Sequence, residues 1–230
     1  MEPRFWHDRW QRADIGFHQT RVNANLESHW ASLGCPPRSQ VFVPLCGKSG
    51  DMRWLREQGH RVLGVELVES AVADFFKEQE LNPLRRSAGR LECWQAVGYE
   101  LYVGDLFDLE PEALAQVRGV YDRASLVALP PPMRIRYARR LAAILPAEFR
   151  MLLLTMDYPP GETTGPPFAV TEPEVRELFS ANFSVTLLGT RDVLEAQPQL
   201  RDRGLSRLHE QSFLLARRRA EPASPPRRPA

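Results

Sequence analysis

The clearest pattern of apolar and polar positions is an apolar run, a glycine turn, an amphipathic segment and a second apolar run. Residues 41–45 are apolar and predict a buried strand, which residues 46–50 follow with a turn that contains two glycines. The amphipathic segment at 51–58 predicts a helix. The second apolar run, 62–65, predicts another strand, and an acid, Glu66, stands at its end. This order of elements is typical of a nucleotide-binding βαβ unit.

Three kinds of ligand use such a unit, and single residues distinguish them. A P-loop needs a glycine where this chain has Phe42, and a dinucleotide-binding loop needs one where it has Leu45. S-adenosylmethionine has a ribose but no phosphate. It therefore needs the acid and a close backbone approach at Gly47, but no anion-binding nest. The residues fit S-adenosylmethionine best, and the alternative is an ordinary turn with Glu66 as a solvated strand end.

The remaining pattern predicts helices that alternate with strands. Helices are predicted at residues 5–11, 22–33, 69–79, 130–145 and 171–181, with a single turn at 193–197. Strands are predicted at 91–94 and 100–103 as a hairpin, at 119–123, at 149–155, and at 183–189 and 210–216 as an antiparallel edge. Thr171 and Glu174 have the spacing of a capping box. The alternation predicts one α/β domain with a mainly parallel, doubly wound sheet.

Composition narrows the possible partners and the compartment. The net charge is +1 over 230 residues, which does not favour nucleic acid or an anionic membrane as partners. The three cysteines, Cys35, Cys46 and Cys93, lack the spacing of a zinc site or a disulfide framework. The charged N-terminus does not resemble a signal peptide, and the most apolar run, 151–156, is too short to span a bilayer. We expect a soluble, cytoplasmic protein without a metal.

Several segments are similar, in the same order, to one enzyme family. PLCGKSGDMRWLREQGHRVLGVELVE resembles the cofactor-binding segment of thiopurine S-methyltransferases. FWHDRW and IGFHQ before it, and GDLFDL, YDRASLVALP and GPPFAVTEPEVRELF after it, have the same similarity. The resemblance covers about residues 4–216 and is greatest to the bacterial branch. It implies a class I methyltransferase fold with a seven-stranded sheet and an N-terminal helical lid. It also implies transfer of a methyl group from S-adenosylmethionine to the sulfur of thiopurines and related aromatic or heterocyclic thiols.

The resemblance also implies roles for individual residues. The cofactor-binding residues that it implies are Trp10, Leu45, Gly47, Glu66, Asp105, Leu106 and Arg123. Phe17 and His18 match a loop that contacts the acceptor. Arg123 also matches a catalytic arginine that stabilises the anionic acceptor, and its alternative role is a surface ion pair with Asp122. Whether Arg201 or Arg203 contacts the acceptor stays open.

The predicted organisation is a lid at residues 1–39, a methyltransferase core at 40–218 and a disordered tail at 219–230 that is rich in proline and arginine. We expect a monomer that acts on a small-molecule thiol or selenol. Two alternatives stay open. One is methylation of selenium or tellurium species for detoxification, and the other is a non-catalytic protein that binds S-adenosylmethionine.

Overall fold

The computed structural model describes residues 3–16, 18–19 and 21–218, so the predicted tail at 219–230 lies outside the described residues. The helices are α1 (Pro3–Gln11), α2 (Ala24–His29), α3 (Asp51–Glu57), α4 (Glu69–Glu78), α5 (Pro131–Ile144), α6 (Glu172–Phe179) and α7 (Pro198–Arg201). Short 3-10 turns lie at Trp30–Leu33, Leu106–Asp108, Pro111–Leu114 and Leu126–Ala128. The strands are β1 (Gln40–Pro44), β2 (Arg61–Glu66), β3 (Leu84–Ala88), β4 (Leu91–Ala96), β5 (Tyr99–Val103), β6 (Val117–Asp122), β7 (Arg150–Asp157), β8 (Phe183–Asp192) and β9 (His209–Arg217).

These strands form one sheet in the order β3-β4-β5-β2-β1-β6-β7-β9-β8. The five central strands, from β5 to β7, pair in parallel. Strand β9 lies between β7 and β8 and runs antiparallel to both. The predicted α/β fold, its parallel central sheet and its antiparallel edge are therefore confirmed.

The sheet is wider than the expected seven strands. Those seven are β5 to β8 in the sheet order, and β4 and β3 extend the sheet beyond β5. Strand β4 was predicted as half of a hairpin, but β3 was not. Four of the five β3 residues are exposed, so no apolar alternation marks it in the sequence. It is a strand because its backbone pairs with β4, from Leu84 opposite Gln95 to Ala88 opposite Leu91.

Two apolar layers cover the two faces of the sheet. In β1 the side chains alternate, so that Val41 and Val43 pack in one layer and Phe42 in the other. Helices α2, α3 and α4 cover the first layer, with Phe75 among their buried residues. Helices α5 and α6 cover the second layer, with Phe179 among theirs. Burial of a side chain of this size contributes about 1.5–3 kcal/mol, so both faces are held firmly.

Of two local predictions, one was wrong and one is confirmed. Thr171 is the N-cap of α6, but its side chain makes no capping hydrogen bond. Glu174 instead accepts a hydrogen bond of 2.5 Å from Nη1 of Arg134 on α5, so the predicted capping box does not form. The single turn predicted at 193–197 is confirmed, since the N–H of Ala196 donates to the carbonyl of Val193 at 3.1 Å and that of Gln197 to the carbonyl of Leu194 at 3.1 Å. The short helix α7, which was not predicted, follows it and begins at Pro198, where proline suits the first helical position.

The doubly wound order brings four loops to one edge of the sheet. Because β1, β2, β5 and β6 are parallel, the segments that follow them meet at the carboxyl edge. Ligands of open α/β sheets bind at this edge. In the described part of the chain, no helix is both long enough and apolar enough to cross a membrane.

Candidate functional site

A cavity of about 360 Å³ opens at this carboxyl edge. The residues that line it belong to α1, to the loop between α1 and α2, to the ends of β1, β2 and β6 and the segments that follow β1, β2, β5 and β6, and to α5. Of the predicted site residues, Trp10, His18, Leu45, Gly47, Glu66, Asp105, Leu106 and Arg123 all line it. Phe17 lies outside the described residues. The fold thus brings together residues that are more than a hundred positions apart in the sequence.

The turn after β1 presents its backbone to the cavity. Leu45 has φ +44° and Gly47 has φ +51°, both in the left-handed region. Only glycine adopts this region freely, and for a bulky residue such as leucine it costs about 1–2 kcal/mol. The backbone N–H of Cys46 donates to the carbonyl of Val65 at 3.0 Å, which ties the turn to β2. This strained and anchored turn forms the floor of the cavity, where a ligand can approach the main chain.

Glu66 is the buried acid of the cavity. It is 6% exposed, so it is not a solvated strand end. Its Oε2 accepts from the backbone N–H of Gly47 and its Oε1 from that of Val68, both at 2.9 Å. Burial raises the pKa of Glu66, and these backbone hydrogen bonds oppose the rise. Each oxygen of a carboxylate accepts two hydrogen bonds, so each retains one acceptor position for a ligand hydroxyl. A ligand with two hydroxyl donors, such as the ribose of S-adenosylmethionine, fits these acceptor positions.

The loop after β5 lines the cavity with one polar residue, Asp105, followed by two apolar residues, Leu106 and Phe107. Asp105 is the N-cap of the 3-10 turn, and its Oδ1 accepts from the backbone N–H of Phe107 at 3.0 Å. Leu106 is buried beside it. The guanidinium of Arg136 on α5 lies 4.6 Å from the centre of the Phe107 ring, a cation–π contact. Phe107 and Arg136 were not predicted, because only the loop–helix contact identifies them.

A second cavity of about 220 Å³ adjoins the first. Both cavities are lined by Trp6, Gln19, Arg123, Ala124 and Ala128. Apolar residues from β7 and from the loop before α6 line the second cavity, namely Leu154, Met156, Pro166 and Pro167. The sequence did not predict this second cavity, because its walls come from segments that are distant in the chain.

The two arginines that the sequence left open lie in different places. Arg203 lines the second cavity, and its Nη2 donates to Oγ1 of Thr163 at 3.0 Å. Arg201 does not line it, and pairs at the exposed surface with Glu195 at 3.0 Å and with Asp202 at 3.4 Å. Arg203 is therefore the one that lies beside the second cavity.

Arg123 lies where the two cavities meet. Its side chain is 11% exposed, and its Nη1 lies 3.5 Å from Oδ2 of Asp51. Asp122 does not pair with it, because the carboxylate of Asp122 accepts from the Tyr137 hydroxyl at 2.6 Å and from the Leu126 N–H at 3.3 Å. The alternative reading, a surface ion pair between neighbouring residues, is therefore wrong.

Two other cavity residues carry chemically active groups. Burial, with the nearby charge of Lys48, lowers the pKa of His18, so its imidazole is neutral near pH 7. Burial, with the nearby Glu66, raises the pKa of Cys46 well above its usual range, so its thiol stays protonated and unreactive. In the part of the chain that the structure describes, no group of three or more His, Cys, Asp or Glu residues is placed to hold a metal ion.

The order of the seven strands from β5 to β8 and the cavity at their carboxyl edge are those of the class I S-adenosylmethionine-dependent methyltransferase fold. A solved structure of this fold is the Burkholderia thailandensis 1,6-didemethyltoxoflavin-N1-methyltransferase with bound 1,6-didemethyltoxoflavin and S-adenosylhomocysteine. Its TM-score is 0.61, and the match covers 93% of this chain and 87% of that chain. At 19% sequence identity the likeness shows the fold alone.

Sequence comparison gives the family. The family model for thiopurine S-methyltransferase matches residues 1–218, and the chain belongs to this family. A Nitrosospira multiformis protein named thiopurine S-methyltransferase is 49% identical over 220 residues, which are 96% of this chain and 100% of that protein. An Azotobacter vinelandii protein of the same name is 49% identical over 218 residues, 95% of this chain and 100% of its own length. The resemblance seen in the sequence is confirmed, and the protein is an enzyme with S-adenosylmethionine as its cofactor.

Proposed function

We propose that this protein transfers the methyl group of S-adenosylmethionine to the sulfur of thiopurines and related aromatic or heterocyclic thiols. The observation that carries the proposal is the pair of adjoining cavities that share Arg123. The first contains the buried acid Glu66, and the second combines apolar walls with arginines, acids and glutamines. The names of the two relatives agree with this acceptor.

In this proposal the first cavity holds the cofactor. Glu66 would accept hydrogen bonds from the ribose, and Asp105 and Leu106 would border the adenine. The backbone of Leu45 and Gly47 would face the methionine part. Trp10 would cover the cofactor from α1, a helix that lines the first cavity and has no buried residue. Residues 1–39 would then act as a lid on the core at 40–218.

The second cavity would hold the acceptor. When bound, S-adenosylmethionine supplies an electrophilic methyl group on a sulfonium. The chain's own contribution is to align the acceptor, to exclude water with apolar walls such as Leu154 and Met156, and to place Arg123 beside the sulfur. A guanidinium lowers the pKa of a neighbouring thiol and stabilises the thiolate. His18 lines the first cavity and not the second, so its contact with the acceptor stays a prediction, as does that of Phe17.

The test is methyl transfer from labelled S-adenosylmethionine to 6-mercaptopurine by the purified protein. We expect turnover by the wild type, and a loss of about tenfold or more in kcat/KM for Arg123→Lys, because lysine keeps the charge but not the planar guanidinium. Arg139→Lys, at an exposed position of α5, is the matched control and should leave kcat/KM unchanged. Tight cofactor binding without turnover on any thiol would contradict the proposal and support a non-catalytic binding protein.

The same chemistry extends to softer acceptors. Selenolates and tellurolates are soft nucleophiles like thiolates, so alignment alone would suffice for them too. A role in metalloid resistance or xenobiotic metabolism would follow. Volatile methylated products from selenite-derived or tellurite-derived species would support this extension, and their absence would end it.

We further propose that the protein works as a monomer in the cytoplasm. The support is that residues of a single chain line both cavities. Light scattering of the purified protein, with and without S-adenosylhomocysteine, tests the oligomeric state, and a stable dimer would contradict the proposal.

A further inference from the structure

A buried carboxylate outside the predicted site, that of Asp51, joins its own segment to two others through three donor groups. Asp51 is the first residue of α3 and is 2% exposed. Its Oδ1 accepts from the backbone N–H of Asn23 at 2.9 Å. Its Oδ2 accepts from the hydroxyl of Tyr121 at 2.9 Å and lies 3.5 Å from Nη1 of Arg123. The segment before α2, the end of β6 and the start of α3 therefore meet at this carboxylate.

The position of Asn23 is itself fixed, so Asp51 has a rigid support. The side-chain oxygen of Asn23 caps α2 by accepting from the N–H groups of Asn25 and Leu26. Its Nδ2 lies 3.3 Å from the carboxylate of Glu210, to which Asn25 also donates at 2.5 Å. Glu210 belongs to β9 and lines the second cavity. The network thus reaches from the turn after β1 to the wall of the second cavity.

The pairing of Asp51 with Arg123 has a physical consequence for the site. A long arginine side chain loses much conformational entropy when it is held in one geometry. A buried carboxylate restricts an arginine strongly, because each charge is costly to bury without the other. Since Arg123 borders both cavities, its position fixes where the positive charge stands relative to the methyl donor and the acceptor.

We propose that Asp51 is a positioning residue for methyl transfer, which holds the Arg123 guanidinium at the junction of the two cavities. The inference rests on the proposed function, since it assigns Arg123 to the acceptor. Asp51 acts through Arg123, which borders both cavities, so we expect its loss to lower acceptor turnover far more than cofactor affinity.

The first variant is Asp51→Asn, which keeps the side-chain shape and removes the charge. We expect kcat/KM for 6-mercaptopurine to fall by about 10- to 100-fold, the range for loss of a hydrogen-bonded charge partner. The Kd for S-adenosylhomocysteine should stay within about twofold of the wild-type value. Glu57→Gln is the matched control: it removes an exposed carboxylate at the other end of α3 and should leave both quantities unchanged.

A double-variant cycle separates positioning from a general structural role. In an Arg123→Ala background, Asp51→Asn should change kcat/KM by less than about twofold, because the side chain through which Asp51 acts is gone. Asp51→Glu keeps the carboxylate and should retain more activity than Asp51→Asn. It also replaces Asp51→Asn in the cycle if that variant does not fold.

Three results would overturn the inference. An equal loss in both backgrounds would mean that Asp51 stabilises the fold and not Arg123. Unchanged kcat/KM in Asp51→Asn, with an active wild type, would remove Asp51 from the site and leave the proposed function standing. An inactive wild type would overturn the proposed function and this inference together.

Discussion

The carboxylate of Glu66 and the backbone N–H of Gly47 are joined by a hydrogen bond of 2.9 Å between the end of β2 and the turn after β1. Through this bond the acid that faces the cavity also holds the turn that forms its floor. A carboxylate placed in this way orders two walls of the site at once. Its removal therefore affects ligand contacts and the shape of the turn.

The first prediction concerns the contribution of Glu66 to cofactor affinity. Glu66→Ala should weaken binding of S-adenosylhomocysteine by about 1–3 kcal/mol, since it removes the proposed acceptors of the ribose hydroxyls. Isothermal calorimetry measures this directly. Glu69→Gln is the control, because Glu69 lies on the exposed surface, 3.4 Å from Arg85 and outside the cavity lining. Equal affinity of Glu66→Ala and the wild type would remove Glu66 from the site.

The second prediction concerns the close packing behind the same turn. A Cβ atom on Gly64 of β2 would lie 2.7 Å from Sγ of Cys46 and 2.7 Å from Cδ2 of Leu101. Gly64→Ala should therefore lower the free energy of unfolding by about 1–3 kcal/mol, the usual cost of overpacking a core. Denaturant unfolding measures it, with Gly16→Ala as a control, since nothing lies within 4 Å of a Cβ there. Equal free energies of unfolding for Gly64→Ala and Gly16→Ala would contradict the close packing of Gly64 against Cys46 and Leu101.

The sequence predicted the central sheet because the signals there are local and strong. Strands β1 and β2 are continuous apolar runs, as expected of parallel strands that are buried on both faces. Glu66 was predicted from its place at the end of such a run. The resemblance then pointed to Trp10, Asp105 and Arg123, which the fold brings to one cavity.

What the sequence did not predict depends on contacts between distant segments. Strand β3 exists through backbone pairing with β4, and exposed side chains carry no pattern for that. Glu174 has the right spacing for a cap, yet a buried arginine on α5 competes for it and prevails. Asp51 looks like an ordinary helix start in the sequence, and only the fold places Tyr121 and Arg123 against it.

The third prediction concerns the pH dependence of stability. Burial raises the pKa of Asp122 from its ordinary value near 3.8 to about 6, and the hydrogen bond from Tyr137 partly opposes the rise. Because the pKa is higher in the folded state, the stability that this group contributes is fully present below about pH 4. It is lost as the pH rises through about 6. The difference between the two pKa values corresponds to roughly 3 kcal/mol.

Asp122→Asn provides the comparison, since asparagine does not titrate. The free energy of unfolding of the wild type, relative to that of Asp122→Asn, should decrease between about pH 4 and pH 7. Denaturant titrations at a series of pH values measure the difference. A difference that stays constant over this range would show that Asp122 does not change its protonation on folding.

The fourth prediction concerns the ion pair between α5 and α6, whose two partners should differ in the unfolding free energy that their removal costs. The Arg134 side chain is 3% exposed, whereas that of Glu174 is 30% exposed, and Nη1 of Arg134 lies 2.5 Å from Oε1 of Glu174. Glu174→Ala leaves a buried guanidinium without its carboxylate and should cost about 3–5 kcal/mol of unfolding free energy. Arg134→Met leaves a carboxylate that water can reach, and should cost less.

The control for this asymmetry is Glu172→Ala, which breaks an exposed pair with Arg176 on the same helix and should cost less than about 1 kcal/mol. All three variants are compared by denaturant unfolding. Equal losses of unfolding free energy in Arg134→Met and Glu174→Ala would contradict this prediction. They would mean that α5 is held by the packing of the Arg134 side chain and by its hydrogen bond to the Leu129 carbonyl, and that the charge of Glu174 matters little.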